Sequence, residues 1–128
     1  MDRRGKGQLG EDAVCARLTQ QGHTIIARNF RKPFGEIDII SQIGGYIVLT
    51  EVKTRKYASM VSGVEAVDFR KRKRIVLTAD AYLSENPTRL QPRYDIAEVT
   101  ITRGDMPRVM SIEIYENAFT TDGIYTVN

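Results

Sequence analysis

The chain has 128 residues, of which 41% are hydrophobic and 27% charged, with a formal net charge of +3. This length allows one domain with a core of its own, and no apolar run approaches the roughly 18 residues of a membrane span, so a bilayer protein is excluded. With only one cysteine and one histidine, an internal disulfide is excluded, and zinc sites and Cys/His nucleophile schemes have almost no material. Any metal must therefore be held by oxygen atoms.

The first predicted element is a helix over residues 7–21. Its apolar residues recur at helical spacing: Leu9, Ala13, Val14 and Leu18. Gly22 follows where a helix stop is expected, and His23 is expected at the surface or in that turn. A polar segment, not an apolar signal core, follows the basic N-terminus, so we expect a cytoplasmic protein.

Three extended segments follow. The first runs from Ile25 to near Asn29, before a connection that contains Pro33 and Gly35. Residues 36–42 and 46–54 are rich in β-branched residues and predict two strands. The Gly44-Gly45 pair between them predicts a short hairpin turn.

The second half predicts a helix and two more strands. Residues 57–66 are interpreted as a loop with a turn at Ser62-Gly63, and a helix begins at Phe69 and ends at Asn86-Pro87. Strands are expected near 93–102 and 109–115. The order predicts one α/β domain, a mixed five-stranded sheet flanked by helices, with a core over about 7–116 and a C-terminal tail over 117–128.

Charged residues within the two hairpin strands are the strongest functional signal. Strand alternation places Glu36 and Asp38 on one face, with Ile37 and Ile39 on the other. The same alternation places Glu51 and Lys53 on one face of the next strand. If the hairpin register holds, Asp38 stands beside this pair; a slip of one residue would separate them.

These residue types suit phosphodiester chemistry. Two carboxylates from adjacent strands can hold a hard divalent cation, which acts on a phosphate oxygen and on bound water. A lysine in the same site can orient the water and offset developing charge. The alternative is an exposed Glu51–Lys53 pair worth only ~0–1 kcal/mol, or a buried ion-pair network, and the residues by themselves leave both open.

Five short motifs occur in order along the chain: Gly10-Glu11, Ala27-Arg28-Asn29, Gly35-Glu36-Ile37-Asp38, Glu51-Val52-Lys53-Thr54-Arg55 and Arg93-Tyr94-Asp95. Together they resemble the YraN-like family of predicted endonucleases. The resemblance covers roughly residues 5–100 and implies a restriction-endonuclease-like fold, similar to Holliday-junction resolvases. Met60-Val61 stand where the family has an aromatic-Gly pair, which puts the geometry of the 56–64 loop in doubt.

The resemblance implies a role for each site residue. Asp38 and Glu51 would bind Mg²⁺ or Mn²⁺, with the Val52 carbonyl as a third ligand, and Lys53 would act on the water and the phosphate. Glu11 matches the acid of the family's first helix.

The remaining acids have weaker claims to the metal. Glu11 alternatively gains ~0.3–1 kcal/mol as a charge in the first turn of a helix. Glu36 would be an extra ligand or a supporting acid, and Asp95 is a weaker candidate that alternatively ends a turn.

The positions of the lysine and arginine residues indicate which class of molecule the protein would bind. The run Arg70-Lys71-Arg72-Lys73-Arg74 is either a phosphate-binding surface or a solvated helix face. The expected phosphate contacts are Arg28, Arg31, Arg55, Lys71 and Lys73. No aromatic stacking platform is evident in the sequence.

The favoured hypothesis is a divalent-metal-dependent endonuclease acting on DNA, on branched or structured DNA in particular. The alternatives are a non-catalytic nucleic-acid-binding module with a nuclease-like fold, and a structural or partner-binding protein with an acidic ion-pair network. A homodimer would enlarge the small nucleic-acid footprint of such a domain.

Overall fold

The computed structural model describes residues 3–58 and 67–125. They form two helices and five strands in the order α1, β1, β2, β3, α2, β4, β5. The bounds are α1 Arg3–Gln20, β1 Thr24–Lys32, β2 Gly35–Ile43, β3 Tyr46–Lys56, α2 Phe69–Glu85, β4 Gln91–Ile101 and β5 Val109–Phe119. The expected loop turn at Ser62-Gly63 and the Met60-Val61 departure lie outside the described residues.

The strands form one mixed sheet in the order β1-β2-β3-β4-β5. The first three strands are antiparallel neighbours. α2 then connects β3 to β4, which are parallel, and β5 returns antiparallel to β4. The predicted α/β fold with a mixed five-stranded sheet is confirmed, and it is consistent with the restriction-endonuclease-like architecture that the resemblance implied.

A helix covers each face of the sheet. Val14 and Leu18 of α1 pack against one face, and Val76 of α2 packs in the core cluster on the other. The core continues past residue 116, where a tail was expected, because Phe119 and Ile124 are both buried with the α2 side. None of the helices in the described parts of the chain is long and apolar enough to cross a membrane.

The alternation of β2 breaks at Asp38. Ile37 packs in the cluster under α2, whereas Ile39 packs in the cluster under α1, so the prediction that both share one face is wrong. The neighbouring strand is irregular at the same level, since Asn29 has φ +53° between the pairs Arg28–Ile39 and Phe30–Ile37. A residue in this left-handed region interrupts the two-residue repeat of an extended strand.

His23 is buried, contrary to the expectation of a surface or turn side chain. Its Nδ1 is hydrogen-bonded to the Ser41 hydroxyl at 2.9 Å. Burial lowers its pKa, and the positive charge of Arg93 acts in the same direction. Buried polar groups in folded proteins are nearly always hydrogen-bonded, and this neutral ring is accordingly a structural element of the core.

Gly10 lets α1 lie directly on β3. A Cβ atom at this position would overlap the Thr54 hydroxyl and lie 3.3 Å from the Thr54 Cβ. Gly7, one turn earlier, has no such neighbour within 4 Å. The close approach places the next residue, Glu11, at the sheet surface.

We therefore expect Gly10→Ala to lower the free energy of unfolding by ~1–3 kcal/mol, the usual cost of overpacking. Gly7→Ala is the matched control and should stabilise the helix by up to ~1 kcal/mol, the difference in helix propensity. Adding Thr54→Ala to Gly10→Ala should restore part of the loss, because it removes the overlapping hydroxyl. Urea unfolding of the four proteins measures this; equal effects of the two glycine substitutions would contradict it.

Candidate metal and phosphate site

Asp38 and Glu51 face each other where β2 and β3 separate. The backbone pairs between β2 and β3 run from Ile43–Tyr46, next to the turn, to Ile39–Thr50. If the pairing continued by one more residue, Asp38 would lie opposite Glu51. Backbone pairing stops there, and the Asp38 Oδ2 instead accepts a hydrogen bond of 2.7 Å from the Val52 amide. The predicted hairpin register is therefore present in the structure.

Glu51 is in contact with two lysines. The Glu51 Oε1 lies 3.4 Å from the Lys53 Nζ and 2.9 Å from the Lys71 Nζ. The Glu51 side chain is 7% exposed, so these are largely desolvated ion pairs. Strand alternation accounts for Glu51 and Lys53, and α2 supplies Lys71 from the adjoining layer.

Ionisation of the Asp38 carboxyl group is unfavourable in the folded protein. Burial, then the nearby charge of Glu51, raises the pKa of Asp38 from an ordinary 3.8 to about 8, against the opposing effect of the Val52 amide. The charges of Glu11 and Glu36 add to the increase. A cation placed beside Asp38 would relieve this cost, and the residues present fit a hard divalent ion in that respect.

The two lysines shift each other's protonation. Burial lowers the pKa of Lys53, and the neighbouring Lys71 adds to that effect. Burial also acts to lower the pKa of Lys71, but its contacts with Lys53 and Glu51 outweigh it and raise the pKa. Lys71 therefore holds its proton more tightly than Lys53 does.

Glu11 is buried beside the same site but is already engaged. Its Oε1 accepts hydrogen bonds from Asn29 Nδ2 at 2.8 Å and from Arg28 Nη2 at 3.1 Å. Arg28 also binds Asp12 at 2.7 Å. Glu11 therefore acts in this structure as an anchor between α1 and β1, and a ligand role would require it to share its charge with Arg28.

An open groove of about 730 Å³ runs past Asp38. Its acidic lining residues are Glu11, Glu36 and Asp38, and Val52 and Lys53 also line it. Glu51 instead lines a neighbouring groove with Lys71, and Glu36 borders both. In the described portion of the chain, no three Asp, Glu, His or Cys side chains are grouped as metal ligands, so Asp38 and Glu51 would need the Val52 carbonyl, water or the substrate to complete a coordination shell.

Most of the predicted phosphate-contacting cations are paired within the protein. Arg28 binds Glu11 and Asp12, Arg31 binds Glu36, Arg55 binds Glu98, and Lys71 binds Glu51. Lys73 is exposed on α2 beside Arg70 and Arg74. These three have no ion-pair partner within residues 3–58 and 67–125.

One buried acid near the site was not singled out from the sequence. Glu98 of β4 is opposite Lys53 in the parallel register and is 6% exposed. Its position in the apolar run Ile96-Ala97-Glu98-Val99 is the same kind of signal that drew attention to Glu51. Its carboxylate lies 2.6 Å from Arg55 Nε, so it holds a groove-lining arginine in place.

Asp95, the weaker candidate, lies opposite Thr50 in the β3–β4 register, next to the level of Glu51, but its carboxylate is engaged elsewhere. It is buried in β4, does not end a turn, and accepts two hydrogen bonds of 2.9 Å from Arg93. It also accepts one of 3.0 Å from the Asn117 amide, where the β4–β5 pairing is irregular. Asp95 therefore joins β5 to the sheet.

Comparison with known proteins identifies relatives but no activity. The model of a family described as "Uncharacterised protein family UPF0102" matches residues 10–99. A UPF0102 protein of Moorella thermoacetica is 40% identical over 120 residues, 93% of this chain and 98% of the relative. One from Dictyoglomus thermophilum is 35% identical over 93% of this chain and 100% of the relative. One from Syntrophotalea carbinolica is 40% identical over 91% and 93%.

The raised pKa of Asp38 predicts that this residue contributes less to stability as pH rises, the reverse of the usual behaviour of a paired carboxylate. Since folding raises the pKa of Asp38 from 3.8 to about 8, the folded state holds this proton more tightly than the unfolded state. Its contribution to stability is therefore present at low pH and is lost as pH rises through about 4 to 8. Asp38→Asn keeps an acceptor for the Val52 amide but cannot ionise.

In EDTA, we expect Asp38→Asn to melt at least ~3 °C above the wild type near pH ~9, since ~1 kcal/mol moves the Tm by a few degrees in a domain of this size. The difference should vanish near pH ~4. Asp105→Asn, an exposed acid in the β4–β5 turn, is the control and should follow the wild type. A lower Tm for Asp38→Asn at high pH would contradict the expectation.

Proposed function

The chain belongs to the uncharacterised protein family UPF0102, the YraN-like family, and from its site we propose that it is a divalent-metal-dependent endonuclease that hydrolyses phosphodiester bonds in DNA. The observation that supports this most is the pair of the half-buried Asp38 and the buried Glu51, which lie where the pairing of two strands ends, with Lys53, whose pKa is lowered, in contact with Glu51. Buried acids of this kind are costly unless a cation compensates them.

The residues that would hold Mg²⁺ or Mn²⁺ are Asp38 and Glu51, with the Val52 carbonyl as a further oxygen and Glu11 and Glu36 as neighbouring acids. When bound, the cation would polarise a phosphate oxygen and lower the pKa of water. Asp38 is already fixed for this role, because the Val52 amide holds one of its oxygens.

Lys53 would serve the phosphate and the attacking water. Its lowered pKa and its contact with Glu51 place an ammonium group that can offset charge on a phosphate oxygen or pass a proton to water. Lys71 would hold Glu51 in position, since its ammonium contacts the same oxygen and lies closer to it than that of Lys53 does.

DNA is the proposed partner because the groove beside the acids is bordered by the exposed cations of α2. Substrates with branches or unpaired segments are favoured over plain duplex, and a homodimer would extend the footprint. The cytoplasm is the proposed location, where a single cysteine that is not in a disulfide is ordinary.

We expect metal-dependent cleavage to fall by at least ~10²-fold in Glu51→Gln and in Lys53→Met, the scale seen when one stabilising group is removed. The assay offers single-stranded, duplex, flap and four-way-junction DNA, and RNA, with Mg²⁺ or Mn²⁺. Glu113→Gln, an exposed acid on β5, is the matched control and should keep wild-type activity. Thermal melting establishes that each variant is folded.

Failure of the folded wild type to cut any member of this panel with either metal would overturn the nuclease proposal. Salt-sensitive binding without cleavage would identify a binding module instead. If neither metal raises the Tm and Glu51→Gln stabilises the fold, the acids form a structural ion-pair network.

The exposed cations of α2 predict a salt signature. Lys73→Ala and Arg74→Ala should each reduce the slope of log K against log[salt] for DNA binding by about 0.7–0.9, the value for one phosphate contact. Arg89→Ala removes the same charge from the exposed loop between α2 and β4 and serves as control. Equal slopes for all three variants would show that net charge alone governs binding.

A further inference from the structure

An exposed phenylalanine stands among cations at the tip of the β1–β2 hairpin. Phe34 is 48% exposed and belongs to neither core cluster. Phe30, four residues earlier, instead packs edge-on against Tyr82 with ring centroids 5.1 Å apart. The hairpin therefore packs one aromatic ring against the core, partly buried, and presents the other to solvent.

A groove of about 780 Å³ lies beside Phe34. Five of its lining residues are basic: Arg31, Lys32, Arg70, Lys73 and Arg74. Leu77, 37% exposed, adds an apolar surface next to the ring. A surface that combines an aromatic ring, an aliphatic side chain and several cations matches the two parts of an unpaired nucleotide, its base and its phosphate.

The hairpin tip is held firmly on α2. A Cβ atom at Gly35 would lie 2.5 Å from Thr78 Oγ1 and 3.1 Å from the Arg74 carbonyl oxygen, so only glycine permits this approach. Lys32 binds Glu85 near the end of α2. The backbone on both sides of Phe34 is thereby held on α2, which places the residue close to the cations of that helix and lowers the entropic cost of ordering the turn when a base binds.

This surface continues into the site of the proposed cleavage. Glu36, paired with Arg31 at 2.9 Å, borders the grooves that hold Asp38, Glu51 and Phe34. Arg70 and Arg74 line both the Phe34 groove and the Glu51 groove. A strand whose phosphate reaches the acids can thus place a neighbouring nucleotide at Phe34.

We propose that Phe34 is a stacking platform for an unpaired base of the nucleic acid, with its flanking phosphates on Arg70, Lys73 and Arg74. This inference rests on the proposed nuclease function and names the substrate class of that site: nucleic acid with an unpaired segment next to the position of cleavage. It differs from the sequence analysis, in which no aromatic stacking platform is evident. An isolated exposed apolar residue would need no explanation, but Phe34 shares its groove with five basic residues and lies in a turn that is held on α2.

The test is fluorescence anisotropy in EDTA, where the DNA stays intact, with labelled single-stranded, forked and fully paired DNA and single-stranded RNA of one sequence. Phe34→Ala should weaken binding to the unpaired substrates by roughly 5- to 150-fold, which is about 1–3 kcal/mol of stacking per base. Binding to paired duplex should change by less than about twofold. The salt slope should stay that of the wild type, because no phosphate contact is lost.

Three variants control for loss of surface area and folding. Phe34→Trp should retain binding, whereas Phe34→Leu, apolar but without a π face, should behave like Phe34→Ala. Tyr115→Ala removes an exposed aromatic side chain from the opposite edge strand, β5, and should leave binding unchanged. Because the Phe34 side chain lies outside the core clusters, all of its variants should melt close to the wild type.

The outcomes separate the two proposals. Selective loss on unpaired DNA or RNA supports stacking, and the strand that binds more tightly identifies the source of the base. Unchanged binding in Phe34→Ala, or equal loss on duplex and unpaired substrates, overturns the platform while the wild type's own binding and metal-dependent cleavage still support the nuclease. Absence of wild-type binding to every nucleic acid overturns both.

Discussion

The low exposure of two neighbouring carboxylates is the constraint around which this protein is arranged. Asp38 and Glu51 would repel each other in a regular hairpin, and the strands separate at that level. The structure compensates the two acids unequally. Glu51 is paired with two ammonium groups, whereas Asp38, among the described residues, accepts a hydrogen bond from a backbone amide and keeps a strongly raised pKa. The unequal compensation leaves Asp38 as the acid that gains most from an added cation.

Two close contacts made by glycines position the layers around this pair. Gly10 brings α1 onto β3 at Thr54, and Gly35 brings the β1–β2 hairpin onto α2 at Thr78. Each contact lies next to an acid, Glu11 in the first case and Glu36 in the second. The glycines therefore serve the packing that delivers side chains to the groove, and a bulkier residue at either position would move a wall of the site.

Local sequence patterns predicted the order of elements because hydrophobic periodicity and turn residues are local properties. The register that opposes Asp38 and Glu51 follows from Gly44-Gly45, and Gly44 indeed has φ +55°. The failures came from interactions between strands and layers. Ile37 and Ile39 pack on different faces because alternation breaks beside Asn29, and His23 is buried because it meets Ser41, eighteen residues away. Both features depend on contacts between residues that are distant in sequence, so local sequence patterns do not predict them.

Candidate site residues divide in the same way. Glu51 and Glu98 could be recognised as acids inside apolar strands, a signal contained in a few residues. The surroundings of Phe34 could not, because its place in the turn is a local signal but the cations beside it come from α2, which is distant in sequence. The ion pairs of the arginines were also not predictable from the sequence. Whether an arginine is available to a phosphate depends on which acid the fold places beside it.

The distribution of paired and unpaired cations among the described residues indicates how a polyanion would approach the site. The wall of the groove formed by α1 and β1 is largely neutralised, because Arg28 pairs with Glu11 and Asp12. The α2 wall keeps exposed cations at Arg70, Lys73 and Arg74. Attraction therefore favours a path along α2, and Lys71 joins this path to the acids, since it lies on the same helix and its ammonium contacts Glu51. A phosphate that follows α2 reaches the lysine pair before it reaches Asp38, whose raised pKa keeps its carboxyl largely protonated near neutral pH. The order of charged groups along the surface therefore reduces the repulsion that the acids would otherwise exert.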